Sequence, residues 1–494
     1  MSGDDRCEPL YRQIYDRLRA RILSGELEVG ERLPSSRDLA DELRVSRNVV
    51  LLAYEQLEAQ GYVRGRSGSG TYVSERLAGR PEAAPRRRIS LELSRFGASV
   101  AAGASDLDLP QKGRHDLPYD FSCGHGNLQC FPFVMWQRVL RRHAARVTLA
   151  LDDGPIAGSD ALRRAICAHL RRARGVLCDA SGIVIVNGSQ QAVDLVVRVL
   201  LERGDHVAIE EPAHQGMREL LRFSGAHLHP VPVDADGLVP EGLPASARAL
   251  FVTPSHQFPS GSLLALHRRQ ALLNWAARAN ALIVEDDCEG EFQHKERRLP
   301  PLQGLDTEGR VIYVGAFSRT IFPALRLGYL VLPPGMVSAF SAAKWLCDRH
   351  AATVEQEALA DLITSGLYER HLHRILRSSA AARAALLEAV QEHLGDRVTL
   401  TGDGVAGHIV LWLDCDVAEE SVVAGAAACG VRVHGLAPCF ANNPRPGILL
   451  GYTGLREAQI REGIRRLGTV IPARPLIGAL RRRMSTDSPA EVVG

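Results

Sequence analysis

Six short apolar runs, separated by turn-forming or helix-patterned sequence, constrain this chain more than anything else in it. They are Val184-Ile185-Val186, Val207-Ala208-Ile209, Leu250-Phe251-Val252, Leu282-Ile283-Val284, Val311-Ile312-Tyr313-Val314 and Tyr329-Leu330-Val331. Strands apolar on both faces belong inside a sheet covered on both sides, and helical spacing over Ala192–Leu201 and His267–Ala279 supplies the cover. The expectation is an α/β domain with a largely parallel sheet, followed by a smaller αβ lobe over about 370–470.

The first 74 residues carry a different pattern. Leu10, Ile14, Leu18, Ile22 and Leu23 recur at helical spacing over residues 9–24. Ser35 or Ser36 can cap a short helix over Arg37–Leu43, and Val45-Ser46-Arg47-Asn48 makes a turn and a second cap. Val49, Val50, Ala53, Tyr54 and Leu57 then stripe a third helix, and two short strands, 61–64 and 70–73, flank Arg66-Ser67-Gly68-Ser69. Together these predict a winged helix–turn–helix with the third helix as the reading element.

Leu33-Pro34-Ser35-Ser36-Arg37-Asp38-Leu39-Ala40, Val45 to Val50 and Gly68-Ser69-Gly70-Thr71 resemble the DNA-binding domain of GntR-type bacterial regulators. The resemblance implies that Arg37, Ser46, Arg47 and Asn48 meet phosphates and base edges of double-stranded DNA, with Gly68, Ser69, Gly70 and Thr71 as the wing tip near the minor groove. The segment holds 11 arginines against 12 acidic residues, so binding must rely on arginines gathered on one face.

Charge is balanced over the whole chain as well, with 59 basic and 57 acidic residues among 494, which excludes a uniformly basic nucleic-acid coat. Only three of the basic residues are lysines (Lys112, Lys295, Lys344), so chemistry that needs a lysine amine has three candidates. The polar start of the chain reads as no secretory signal, and no apolar run reaches the roughly 18 residues of a membrane span. Ten scattered cysteines without metal spacing read as free thiols, and a bacterial cytoplasmic location is the expectation. Residues 75–118, with the Arg86–Arg88 run, read as a mostly irregular linker, and residues 479–494 as a disordered tail.

Ligands gather at the carboxyl edges of such sheets, which directs attention to the strand ends. Asn187-Gly188-Ser189-Gln190 is a turn feeding a helix N-terminus, suited to an anion. Thr253–Gly261, Val284-Glu285-Asp286-Asp287 and Gly315–Tyr329 bring polar and charged residues to the same edge. In this order the motifs resemble the fold-type I, aspartate aminotransferase-like domain of pyridoxal 5'-phosphate (PLP) enzymes, in the form fused to GntR heads: the MocR subfamily of regulators. The resemblance spans about 120–470.

It implies that Gly188, Ser189, Gln190, Ser318 and Arg326 cradle a phosphate, that Asp286 pairs with the pyridine nitrogen, and that His256-Gln257 lies near the ring oxygen. The Schiff-base lysine of the family pattern Ser-Lys-Thr is replaced, since this chain reads Ser318-Arg319-Thr320. A guanidinium stays protonated and forms no imine. Cys288 and His214 stand where the family has tyrosines, and Ala316 where it has Thr or Ser. Arg445 is the nearest match to the family's substrate-carboxylate arginine.

The expected organisation is a DNA-binding domain over 1–74, a linker over 75–118 and an effector domain over 119–478, with a large lobe at about 145–345 and a small lobe at about 346–478 plus 119–144. The expected function is a homodimeric transcription regulator that binds PLP non-covalently, has lost it, or takes another small anion to which Arg319 adds positive charge. The alternatives are a regulator that still senses PLP or its amino-acid adduct, and a working aminotransferase.

Overall fold

The computed structural model describes residues 9–66, 68–74, 92–103, 117–124, 130–145, 154–292, 299–402, 407–414 and 416–472. Arg86–Arg88, Lys112, Lys295, the wing's Ser67 and the tail from 479 lie outside the described residues. The chain divides into two compact units, Met1–Glu92 and Leu93–Gly494.

The first unit consists of α1 (Leu10–Leu23), α2 (Ser36–Leu43), α3 (Arg47–Ala59) and the hairpin of β1 (Val63–Arg66) and β2 (Gly70–Val73). Ile14, Leu18 and Ile22 of α1 share a core with Val50, Ala53 and Leu57 of α3, as their spacing requires. Full burial of each large aliphatic side chain here contributes about 1.5–3 kcal/mol. Ser35 caps α2, its hydroxyl accepting from Asp38 N at 3.2 Å. Ser46 holds the N-cap position of α3, but its side chain makes no capping bond.

The second unit opens with α4 (Arg95–Ala102), a short helix inside the stretch expected to be mostly irregular. Ser94 supplies its cap, accepting from Gly97 N at 3.1 Å, and Gly103 closes it where a Cβ would lie 2.8 Å from the Phe223 ring. The chain continues through β3 (Tyr119–Asp120), α5 (Phe133–Ala144), α6 (Asp160–Ala173), β4 (Ile183–Val186), α7 (Ser189–Leu200) and β5 (His206–Glu211). Next come α8 (Gln215–Ser224), β6 (His227–Asp234), β7 (Gly237–Leu238), β8 (Ala249–Val252), α9 (Leu266–Ala279) and β9 (Leu282–Asp286). Then follow α10 (Leu302–Leu305), β10 (Val311–Ala316), β11 (Gly328–Val331), α11 (Val337–Asp348), α12 (Thr353–Thr364) and α13 (Leu367–His393). The last elements are β12 (Thr399–Thr401), β13 (His408–Trp412), α14 (Glu419–Ala428), β14 (Val431–Arg432), β15 (His434–Gly435), β16 (Gly447–Gly451) and α15 (Glu457–Val470).

Eight strands form the main sheet in the order β4-β11-β10-β9-β8-β5-β6-β7. The pairs β10/β9, β9/β8, β8/β5 and β5/β6 are parallel, and β11 runs antiparallel to both neighbours. All six apolar runs lie in this sheet, and β4, β8 and β11 are buried along their whole length. A smaller sheet, β12-β13-β16-β15, packs with α13 and α15 around a second core.

The lobe boundaries differ from the expected ones. Trp136 and Val139 of α5, Leu359 and Leu362 of α12 and Tyr368 of α13 all enter the core that holds Ile185, Phe317 and Tyr329 of the large lobe. In the segment around β3, Phe121 joins the small-lobe core. No helix among the described residues is long and apolar enough to cross a membrane.

Candidate functional site

Strands β4, β5, β8, β9 and β10 run in one direction, so Asn187, Pro212, Thr253, Asp287 and Phe317 all leave the sheet at the same edge; antiparallel β11 enters there after Arg326. Topology alone thus gathers the motifs that lie far apart in the chain. The phosphate-type turn has the required backbone: Gly188 has φ +86°, and α7 begins one residue later. Arg326, itself at φ +49°, donates from Nη2 to Asn187 O at 3.1 Å, and a Cβ on Gly188 would come within 2.8 Å of that nitrogen. Ser189 and Ser318 are half-buried at this edge, and Gln190 is exposed, donating to Gly216 O at 3.1 Å. Beneath the turn, Asp348 accepts from Asn187 Nδ2 (2.5 Å), Gln191 Nε2 (2.7 Å) and Lys344 Nζ (2.7 Å). Lys344 is fully buried in that cluster and serves as a brace.

At the end of β9, Asp286 accepts from Cys288 N at 3.1 Å. Burial holds the Asp286 carboxyl above its usual range and pushes the Cys288 thiol well above its own, with the Asp286 charge adding to the latter. Arg319 meets Glu289, Nε donating to Oε1 at 2.9 Å and Nη2 closing a second contact. This corrects the expectation that Arg319 offers free positive charge to a ligand, because a carboxylate three residues past Asp286 neutralises it. Burial alone would raise the Glu289 carboxyl, but Arg319, with the imidazoles of His256 and His408, holds it below the usual range. Burial pushes the His408 imidazole down to about 3.

One more expectation changes. Gln257 is committed to its own loop: Nε2 donates to Pro212 O and Phe258 O, both at 2.7 Å, and Oε1 accepts from Ser260 N at 3.0 Å. Of the pair 256–257, only His256 has ring nitrogens without a hydrogen-bond partner. Arg445 is exposed, its guanidinium 4.5 Å over the centre of the Trp412 ring. His214 is exposed, its ring 5.3 Å from that of Phe258.

The sequence did not disclose what Asp287 pairs with behind this edge. Arg174 Nη2 donates to Asp287 Oδ2 at 2.6 Å and to Ser255 Oγ at 3.1 Å, and Tyr313 OH donates to the same Asp287 oxygen at 2.6 Å. A small cavity lined by Arg174, Asp287, Tyr313 and Tyr329 is also lined by Cys288 and Ala316, two of the positions that depart from the family pattern. Glu210, 3% exposed, accepts from Thr253 N at 3.1 Å and Oγ1 at 2.6 Å, yet burial outweighs these bonds and raises its carboxyl to about 7. A carboxyl that binds its proton more tightly in the folded chain destabilises the fold as pH rises from the ordinary value of 4.5 through about 7. Glu210→Gln should therefore remove a pH-dependent loss on the order of 2–3 kcal/mol between pH 5 and 8. Urea midpoints of the two proteins that fall in parallel over that range would assign the loss to another group.

On the first unit, Arg37, Ser46, Arg47 and Asn48 are all exposed. Arg47 Nε donates to Ser36 Oγ at 3.2 Å, joining the starts of α2 and α3. At the wing, Gly68 has φ +73°, and Ser69 Oγ lies 2.7 Å from Tyr72 OH. The main chain of Thr71 accepts from Leu33 N at 2.9 Å, tying the wing to the turn before α2. Gly70 admits Arg32, whose Nε would lie 2.8 Å from a Cβ there, and Arg66 stacks 4.9 Å over Tyr72. Neither arginine was singled out from sequence, because only the hairpin register brings them to the wing.

Comparison with known proteins agrees with both units. Residues 10–73 match "Bacterial regulatory proteins, gntR family", and residues 138–432 match "Aminotransferase class I and II". The chain is 36% identical over 491 residues to the probable rhizopine catabolism regulatory protein MocR of Rhizobium meliloti, with 97% of each chain covered. It is 33% identical over 469 residues to the HTH-type transcriptional regulator TauR of Rhodobacter capsulatus, covering 91% of this chain and 94% of that one. Among solved structures it resembles a kynurenine aminotransferase of Pyrococcus horikoshii (26% identity, TM-score 0.68, 79% of this chain and 96% of that one). The α-aminoadipate aminotransferase LysN of Thermus thermophilus is similar at 28% identity and a TM-score of 0.69, with 79% and 100% covered.

A winged helix–turn–helix and an aminotransferase-type sheet in one chain define a DNA-binding transcription regulator with an aminotransferase-like second domain. The fold family of that second domain binds PLP. The chain belongs to the MocR subfamily of GntR-type regulators.

Proposed function

We propose that the aminotransferase-like domain of this regulator is an effector-binding and dimerisation module without transaminase chemistry. One observation carries the reading: at the position of the family's Schiff-base lysine stands Arg319, held by Glu289. Lys344, the one lysine among the described residues, is spent on Asp348. The phosphate end of a PLP site fits the residues present, since Gly188, Ser189 and Arg326 form a cradle at the start of α7. The ring end fits too, with Asp286 for the pyridine nitrogen and His256 beside the ring oxygen. The covalent end does not fit. PLP supplies an electron sink when bound, but among the described residues no amine is placed to anchor it or to carry a proton. A small anion held at the cradle is the ligand class this arrangement supports.

Dimerisation follows from the need of paired DNA half-sites for paired heads. Val134 of α5 and Leu346 of α11 are 76% and 79% exposed, apolar side chains available to a second copy. Of the eight matched residues on the first unit, Arg37, Ser46, Arg47 and Asn48 are assigned to the groove and backbone, and Gly68–Thr71 to the wing contact.

The covalent question is settled by borohydride reduction in the presence of PLP, followed by intact-mass measurement. No cofactor mass should be retained at a pocket residue. One retained equivalent per chain on the wild type would overturn the reading. Arg319→Lys alone should label weakly, since Glu289 would keep the new amine protonated, and adding Glu289→Gln should raise the labelled fraction several-fold.

A further inference from the structure

Two buried imidazoles and a half-buried carboxylate converge in the second unit, each with a buried polar atom that makes no hydrogen bond. His256 leaves β8, Glu289 follows β9 and His408 opens β13, and one potential ligand atom from each lies within 4.8 Å of the other two. The two imidazole side chains are 5% and 0% exposed. Geometry fixes the His408 tautomer. Its Nε2 lies 3.2 Å from Pro259 O, which can only accept, so the ring proton is on Nε2 and Nδ1 presents a lone pair. That Nδ1 faces Glu289 Oε2 at 3.9 Å, and His256 Nδ1 lies 3.0 Å from the same oxygen. None of these three atoms has a hydrogen-bond partner of acceptable direction, although buried polar atoms almost always have one.

A cation supplies what the three atoms lack. Bonds of about 2.0–2.2 Å at tetrahedral angles put neighbouring ligand atoms about 3.4 Å apart, between the two separations found here. The surroundings also match a metal site's outer shell: Pro259 O orients His408, and Arg319 holds the other oxygen of Glu289. Two imidazole nitrogens and one carboxylate oxygen suit zinc and its first-row neighbours, whereas calcium and magnesium prefer oxygen alone.

We propose that His256, Glu289 and His408 form a binding site for a divalent transition metal of the zinc type, with a fourth position for water or an anion. Glu289 and Arg319 cancel in charge, so the metal would leave the site positive and draw an anionic group to it. The site shares His256 with the ring end of the cradle described above, so a metal held there and a PLP ring would compete for that imidazole.

The test uses the full-length protein, stripped with a chelator, dialysed and then titrated with Zn²⁺ or Co²⁺. Wild type should retain one zinc per chain by elemental analysis, show visible ligand-field bands with Co²⁺, and melt at a higher temperature with zinc. His408→Gln and Glu289→Gln should each weaken binding at least tenfold, and His256→Gln/His408→Gln should lose the Co²⁺ bands and the rise in Tm. Retention of zinc by that double variant at the wild-type level would overturn the proposal, as would a wild type that retains none. Should a variant fail to fold by circular dichroism, X-ray absorption of Co²⁺-loaded wild type decides. Two imidazoles with oxygen and no sulfur support the site, and a sulfur or all-oxygen shell overturns it. None of these readouts depends on borohydride labelling, so the two proposals fail separately.

Discussion

Arg47→Ala should abolish retention of operator DNA in a gel shift while leaving the circular dichroism spectrum unchanged. Arg47 is exposed at the first position of α3, and among the described residues its side chain hydrogen-bonds only Ser36. Losing it should cost the fold little. A bidentate arginine–guanine contact discriminates by about 1–3 kcal/mol, and a dimer on two half-sites loses it twice. The expected weakening is therefore about 30-fold to 10⁴-fold. If Arg47 instead meets a phosphate, affinity falls alike on all sequences and the salt dependence becomes shallower by about one per head. Light scattering of the wild-type complex should find two chains per duplex. One chain per duplex would remove the argument from paired heads.

The second large effect concerns the fold under the candidate site. Asp287→Ala should destabilise the second unit by about 3–5 kcal/mol, because Arg174 would remain charged and buried without the Asp287 carboxylate. The side chains of Arg174 and Asp287 are 1% and 0% exposed, and Tyr313 OH loses its acceptor in the same step. Asp287→Leu combined with Arg174→Met should recover a large part of that loss, since replacing both members of a buried pair is far less costly than removing one. Chemical denaturation followed by tryptophan fluorescence measures both. A single variant within 1 kcal/mol of wild type would mean that water reaches Arg174 in the folded chain.

The fold was legible where burial leaves a periodic mark. The six apolar runs are all strands because a sheet covered on both faces tolerates little else, and α3 is found two residues earlier than its apolar stripe because Arg47 and Asn48 belong to its polar first turn. Strand β6 was missed, since His227-Leu228-His229-Pro230-Val231-Pro232 lies toward the sheet's edge and carries prolines that no central strand would. Lobe membership of α5 and α12 was not legible either. An amphipathic stripe states that a face is buried, without stating against what.

At the site, residue identities could be read from the strand ends, but their commitments could not. Ser318-Arg319-Thr320 already declares the missing amine. That Glu289, 30 residues earlier, takes up the guanidinium is a fact of tertiary packing. Gln257 likewise has polar groups of the right kind whose capacity is used elsewhere, and His408 bore no motif at all. A hint for Glu289 was available in its position one residue past Cys288, at the turn where β9 delivers its carboxylates.

The closure of Arg319 on Glu289 also bears on what sort of information such a pocket can convey. On the reading proposed above, whatever enters leaves unchanged, so the regulator responds to concentration and not to flux. Its signal is erased by dissociation alone, with no turnover to reset it. Coupling to DNA is then an equilibrium matter in both directions: a ligand that shifts operator affinity by some factor must be bound more or less tightly by that same factor when the operator is present. A working aminotransferase, which consumes what it binds, is under no such symmetry.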